Sequence, residues 1–372
     1  MLLVALASPY VGALADYSGR RRALLTGSTL LTVCATALLA LVGPGDVALG
    51  MSLFVVGTVG FEAGYVFYNA FLPDVSTPRT IGRISGWGWA VGYAGGLLSL
   101  AACLPLLRLP LRDAAGALDP SAVAARQASF LVVAAFYLLF ALPAFFWLPG
   151  ASPSGSLGSP ADIAAAGFRR VRWTLSRLRR HREVVKFLLA SIFFTDGITT
   201  VISFSAIYAT VTFGFSSAEV VVLFLVLNVV AFPGALVCGH LADRIGPRRT
   251  ILLTLLLWIA VVLLGALARS RAAFWGMACG AAVGMGGTQA VSRSFMAQIS
   301  PRDRESEFFG FYVLAGKFAS MFGPLVFGLV SAATGSQRAA VLSLLPFFLA
   351  GLALTASIRE RAAIDGGAPP SA

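Results

Sequence analysis

The sequence predicts an all-α polytopic membrane protein, and three observations carry that prediction. Of its 372 residues, 58% are hydrophobic and only 12% charged, against about 45–50% apolar and about 25% charged in soluble domains. The mean hydropathy is +0.85. Charge is confined to short islands between apolar runs near the roughly 20-residue length of a membrane-spanning helix. The runs are continuous rather than alternating, which excludes an outer-membrane barrel.

Eleven such segments follow in order. The run 1–15 is short for a span, since a helix rises about 1.5 Å per residue against a hydrocarbon core of about 30 Å. It is followed by 23–43 after an arginine island, 47–72 after Pro44-Gly45, and 84–105 after the Pro73 to Arg83 loop. A polar stretch precedes 128–148. A second set then runs 187–212, 217–241, 250–268, 272–296, 307–331 and 339–357, each bounded by Gly, Pro or charged residues. The chain divides into a bundle over 1–149, a basic linker over 150–186, a bundle over 187–358 and a tail over 359–372.

The formal charge of +12 comes from 26 Arg and 2 Lys against 16 acidic residues. Placing loop 16–22 in the cytoplasm puts 20 cations on that side and 6 on the other, so the positive-inside rule explains the basicity and puts the C-terminus in the cytoplasm. No aromatic interleaving marks a nucleic-acid groove. The linker joins a Ser/Pro/Gly stretch (149–160) to an Arg-rich stretch from Phe168 to Lys186. Phe168, Val171, Trp173, Leu175 and Leu178 within it fit either an amphipathic helix on the anionic leaflet or a solvated basic linker.

Gly12 to Arg22 (GALADYSGRRR) recurs as Gly239 to Arg249 (GHLADRIGPRR), identical at seven of eleven positions at an offset of 227 residues. A weaker echo pairs Phe71, Ser76, Gly86 and Gly92 with Phe295, Ser300, Gly310 and Gly316 at an offset of 224. Both point to a duplicated, parallel repeat. The paired loops, Gly12, Asp16, Gly19, Arg20 and Arg21 with Gly239, Asp243, Gly246, Arg248 and Arg249, resemble the loop signature of the major facilitator superfamily. Their residue types suit a gate: a tight Gly turn, an Asp at a helix N-terminus and an Arg answering it.

FYNAFLPDVS (Phe67 to Ser76), ISGWGWAVGY (Ile84 to Tyr93), FFTDGITTVI (Phe193 to Ile202) and the stretch from Gly286 to Lys317 sharpen this. They are similar to the vacuole effluxer-like family of that superfamily. The resemblance implies two pseudo-symmetric bundles, twelve helices and efflux of amino acids or similar metabolites. The repeat offset carried back from Phe187 lies before Met1, so the first helix is expected to be missing here, with a late start codon as the expected cause. A cleavable signal peptide at 1–15 is the competing reading, weakened by the lack of a basic n-region.

Ionisable residues at bilayer depth are functional candidates by default, because inserting each costs about 2.5–3.5 kcal/mol. Glu62, Asp196 and Lys317 are mid-helix. One cation and two carboxylates can pair and leave a carboxylate free, so Asp196 or Glu62 is the expected proton-coupling group. Lys317 is then its counter-charge or a contact for a solute carboxylate; a purely structural ion pair is the alternative. Tyr65, Tyr68 and Asn69 share a helical face with Glu62 and form a candidate pathway wall. Gln289, Ser292 and Arg293 lie near the cytoplasmic end of their helix and suit closure of the gate. Gly88, Gly92, Gly95 and Gly96 resemble the superfamily's antiporter signature, with Tyr93 where that signature has proline. Gly323-Pro324 is a candidate kink.

Cys34, Cys103, Cys238 and Cys279 lie within or beside apolar runs without metal spacing, His181 and His240 lack metal partners, and no phosphate loop occurs. The expectation is therefore no cofactor, no metal, no nucleic acid and no enzymatic centre. A transporter of a small polar solute, proton-coupled by expectation, fits best. A drug or sugar exporter and a non-transporting membrane protein, a receptor or a degenerate paralogue, are the alternatives. The Arg- and Ala-rich composition points to a bacterial cytoplasmic membrane, and nothing in the pattern fixes an oligomeric state.

Overall fold

Almost every long apolar run folds as a helix, and the breaks fall where local chemistry calls for them. The computed structural model describes residues 2–108, 111, 118–150, 167–169, 171–174, 176, 181–302 and 304–359. Its helices are α1 (Leu2–Ser18), α2 (Arg21–Leu38), α3 (Val47–Ala70), α4 (Ile81–Leu107) and α5 (Pro120–Trp147), then α6 (Arg182–Phe213), α7 (Ser217–Ile245), α8 (Pro247–Leu267), α9 (Arg271–Ile299), α10 (Glu305–Phe318), α11 (Phe322–Thr334), α12 (Gln337–Leu342) and α13 (Leu345–Ala356). Most of the linker, including Leu175 and Leu178, and the tail beyond Arg359 lie outside the described residues.

Caps set the boundaries and move several of them. Asp119 accepts a hydrogen bond from the Ser121 N–H, so α5 starts at Pro120, eight residues before the expected 128, and takes Arg126 out of the loop. Ser216 and Glu219 form a capping box on α7. Two expected single spans are each broken in two. The run 307–331 divides between Phe318 and Phe322, a turn before the expected kink, leaving Pro324 in the first turn of α11 where proline is tolerated. The run 339–357 divides before Leu345, with Pro346 at the new start.

Among the described residues, nine helical stretches are long and apolar enough to cross a bilayer, not eleven. The two missing from that count are α1, with 17 residues, and α9. The latter has 29 residues but is Gly- and Ser-rich and buries Thr288, Ser292, Arg293 and Ser294 inside the protein. The outer surface is apolar, with Phe140, Trp147, Leu264 and Leu267 all exposed, as the lipid phase requires of a spanning bundle. The largest core cluster includes Phe187, Phe194, Trp258, Phe295 and Phe348.

The halves of the chain meet along α1 with α10 and along α4 with α7 and α9. Both helix crossings are glycine-made. A Cβ on Gly12 would lie 2.0 Å from the Ser306 carbonyl oxygen, and one on Gly310 would lie 2.4 Å from that of Ser8. At the other crossing, Cβ atoms on Gly82 and Gly86 would lie 2.5 and 2.7 Å from the carbonyl oxygens of Gly239 and Ala235. The two crossings are counterparts at the repeat offsets. Both sit at the arginine-rich ends of the helices. Toward the other end, nothing lies within 4 Å of a Cβ at Gly92, Gly95 or Gly96 of α4.

Candidate functional site: a latched crossing and a buried polar layer

The loop aspartates were expected at helix N-termini in their own loops; they lie instead in the last turns of α1 and α7. The helix N-termini they serve belong to the other half of the chain. Asp16 accepts from the backbone N–H groups of Ser306 at 3.2 Å and Glu307 at 2.9 Å. Asp243 accepts from those of Gly82 at 2.7 Å and Arg83 at 2.9 Å. Each carboxylate thus satisfies orphan donors at the positive end of a helix dipole. The tight turns belong to Gly19 (φ 63) and Gly246 (φ 92), both in left-handed conformations, whereas Gly12 and Gly239 are the close-approach points.

The arginine answers differ between the copies. Arg21 reaches Asp16 at 3.1 Å, Asp74 at 3.0 Å and Glu305 at 3.1 Å, which ties α1, the α3–α4 loop and α10 together. Burial pushes the Asp74 carboxyl above its ordinary range against the pull of Arg21. Its counterpart Arg248 bonds the carbonyls of Thr355 and Ala356 at the end of α13 rather than Asp243. Arg20 and Arg249 are exposed. Because the Arg21 side chain is only 14% exposed, Arg21→Gln strands partly buried carboxylates; a stability loss on the order of 3 kcal/mol is expected in thermal unfolding of the purified protein.

Above this latch lies a polar layer. Arg293 of α9 is buried, its Nε donating to Ser85 Oγ and its Nη2 to the Ser85 carbonyl, both at 2.9 Å. Its Nη1 is 3.5 Å from Asn69 Oδ1, and the guanidinium lies 5.3 Å from the Tyr68 ring centre. Tyr65 lies beside Asn69 and Arg293. Tyr93 donates to Gln289 Oε1 across the halves. Sequence spacing marks Tyr93 only as a departure from a glycine pattern; a partner 196 residues away leaves no local signal.

Higher on α3, Glu62 pairs with Lys317 Nζ at 2.5 Å, the carboxylate 7% and the lysine 38% exposed. Asp196 stands apart from that pair. It is 1% exposed, and its Oδ1 accepts from the Gly323 N–H at 2.9 Å, capping α11 at the break, while Oδ2 is buried without a partner. The three mid-helix charges thus divide into one pair and one cap. Among the described residues no cluster of His, Cys, Asp or Glu has metal-holding geometry.

Two glycine crossings related by an internal repeat, each capped by an aspartate from across the halves, are the architecture of a major facilitator superfamily transporter. The chain belongs to the vacuole effluxer Atg22-like family, which it matches over residues 1–365. It is similar to an uncharacterized MFS-type transporter, YxiO, of Bacillus subtilis, with 30% identity covering 98% of this chain and 83% of the relative. Autophagy-related protein 22-1 of Penicillium rubens is 25% identical over 88% of this chain and 68% of its own length. That of Aspergillus fumigatus is also 25% identical, and the chain spans 45% of its length. The solved transporter FucP, in its outward conformation, shares the fold with a TM-score of 0.77 at 16% identity, covering 96% of this chain and 89% of FucP. The human organic anion transporter MFSD10 does so at 0.69 and 20% identity, covering 95% and 81%. The chain is therefore a multi-pass membrane transporter of small solutes.

Proposed function

We propose that this transporter exports amino acids or similar small zwitterions from a bacterial cytoplasm in exchange for protons, with the arginine-rich side and the C-terminus cytoplasmic. The observation that carries the reading is the Glu62–Lys317 pair, joining α3 and α10 from opposite halves. Such a pair matches a zwitterion. The solute's carboxylate competes for Lys317 and its ammonium for Glu62, so loading exchanges one ion pair for two and loosens the bridge between the halves. Glu62, once released, is free to take up a proton. On this reading the state seen here faces outward, with the latch holding the cytoplasmic side shut. The description of the family as vacuole effluxer-like supports export as the direction.

The test is counterflow of a radiolabelled amino-acid mixture into proteoliposomes preloaded with the unlabelled mixture. Wild-type protein is expected to accumulate label, and Glu62→Gln and Lys317→Gln to fall at least tenfold. Binding without flux in wild-type protein would instead identify a receptor. Asp196 is the second proton candidate. Asp196→Asn is expected to retain counterflow, which needs no net proton movement, and to lose uphill transport driven by a pH gradient. Unchanged proton dependence would remove Asp196 from the pathway.

A further inference from the structure

We propose that Arg293 anchors a site for a small anion, a carboxylate group or a halide, where α9 meets α3 and α4 between the halves. Arg293 is 5% exposed, yet among the described residues its partners are neutral: the hydroxyl and carbonyl of Ser85, the amide oxygen of Asn69 and the face of Tyr68. Among the described residues it makes no ion pair, although Lys317 and Arg21 each have carboxylate partners. A buried guanidinium without a counter-charge is costly, and it carries five N–H donors in a fixed fork suited to an anion. Three bonds account for part of that set, and the one to Asn69, at 3.5 Å, is at the limit of hydrogen-bond length.

The surroundings add donors rather than acceptors. Asn69 is fully buried and its Nδ2 has no hydrogen-bond partner. Ser85 Oγ already spends its proton on the Ala290 carbonyl at 2.6 Å. Gly88 makes the space: a Cβ there would lie 2.5 Å from Nη2 of Arg293 and 3.1 Å from the Tyr68 hydroxyl. Asn69 and Arg293 are themselves counterparts at the repeat offset of 224 residues, so the two halves contribute equivalent positions to one site. This site is independent of the amino-acid reading above. A solute carboxylate is one source of the anion and free chloride the other.

The experiment is thermal unfolding of the purified full chain in a sodium HEPES buffer, whose bulky sulfonate is the background anion, titrated at constant sodium with sodium chloride or sodium acetate. A ligand of the native state raises Tm in a saturable way. A saturating rise in wild-type protein with acetate alone assigns the site to carboxylates; a rise with chloride assigns it to halides. In either case the rise is expected to vanish in Arg293→Gln and to need several-fold more anion in Arg293→Lys, which keeps the charge and loses the fork. If Arg293→Gln does not fold, Arg293→Lys and Asn69→Ala carry the comparison. No saturable rise in wild-type protein, or an unchanged rise in the variants, overturns the proposal and leaves Arg293 a lock between helices.

Discussion

Transport by Gly12→Ala is expected to fall to the background of empty liposomes, although the change adds one methyl group. That Cβ would lie 2.0 Å from the backbone oxygen of Ser306 and 2.9 Å from the Glu307 nitrogen. Backbone atoms in a helix crossing cannot rotate away as a side chain does, so α1 and α10 must separate and take the Asp16 cap with them. Gly27→Ala is the control. No atom lies within 4 Å of a Cβ at Gly27, and its helix gains roughly 0.5–1 kcal/mol from the better helix former. Counterflow measured on monodisperse preparations of both variants checks the contrast. Equal activities would mean that the crossing is not part of the transport cycle.

The second large effect is expected from removing both interhalf caps together. Asp16 and Asp243 each accept two backbone N–H bonds from a helix of the other half, and a capping side chain typically contributes about 1 kcal/mol, with hydrogen bonds to a charged group worth about 1.5–3 kcal/mol. Taking about 1.5 kcal/mol per cap, Asp16→Ala with Asp243→Ala shifts the balance of closed and open forms by about 3 kcal/mol, roughly a hundredfold. Ala90 is fully buried against Ala235 and Ala290 between the halves. In a background free of the four native cysteines, alkylation of Ala90→Cys should quicken by about that factor. Each single cap variant should show about the square root of it, because the two caps share no hydrogen-bond partner and act additively.

What was legible in the sequence was local or periodic. Apolar runs of span length announce helices because the bilayer leaves them no other structure, and the duplicated loop is visible as two similar strings. Boundaries were less legible where a cap outranked hydropathy: Asp119 starts α5 within a stretch containing Arg126 and Gln127, which hydropathy assigns to a loop. The broken helices were half legible. Gly323-Pro324 marked a disturbance, but the break falls a turn earlier, where Asp196 holds the N-terminus of α11. The run 272–296 reads as a span by its apolar residues, yet the Gly, Ser, Thr and Gln that it also carries leave α9 outside the nine stretches apolar enough to cross, and its glycines pack against α7 and α8.

The site was legible as residue types and illegible as partners. Depth along each helix marked Glu62, Asp196 and Lys317, yet no local pattern says that Lys317 chooses Glu62, 255 positions away. The motif aspartates were read against their own loops because sequence shows only neighbours. Their true partners, Ser306 and Gly82, become visible once the repeat is treated as a symmetry: an Asp of one copy that caps the other half implies the same for its counterpart. Ser85 gave no signal at all, being an ordinary serine whose importance comes from Arg293 reaching it across the interface.

The claim that the halves rock about the Glu62–Lys317 bridge is tested most directly by the distance distribution between spin labels at Arg79 and Arg302, exposed positions in the corresponding α3–α4 and α9–α10 loops on the arginine-rich side. The account predicts a dominant short distance in wild-type proteoliposomes, and a second, longer population that grows on adding the amino-acid mixture and grows without it in Glu62→Gln. A single short distance, unmoved by solute and by Glu62→Gln, would contradict it.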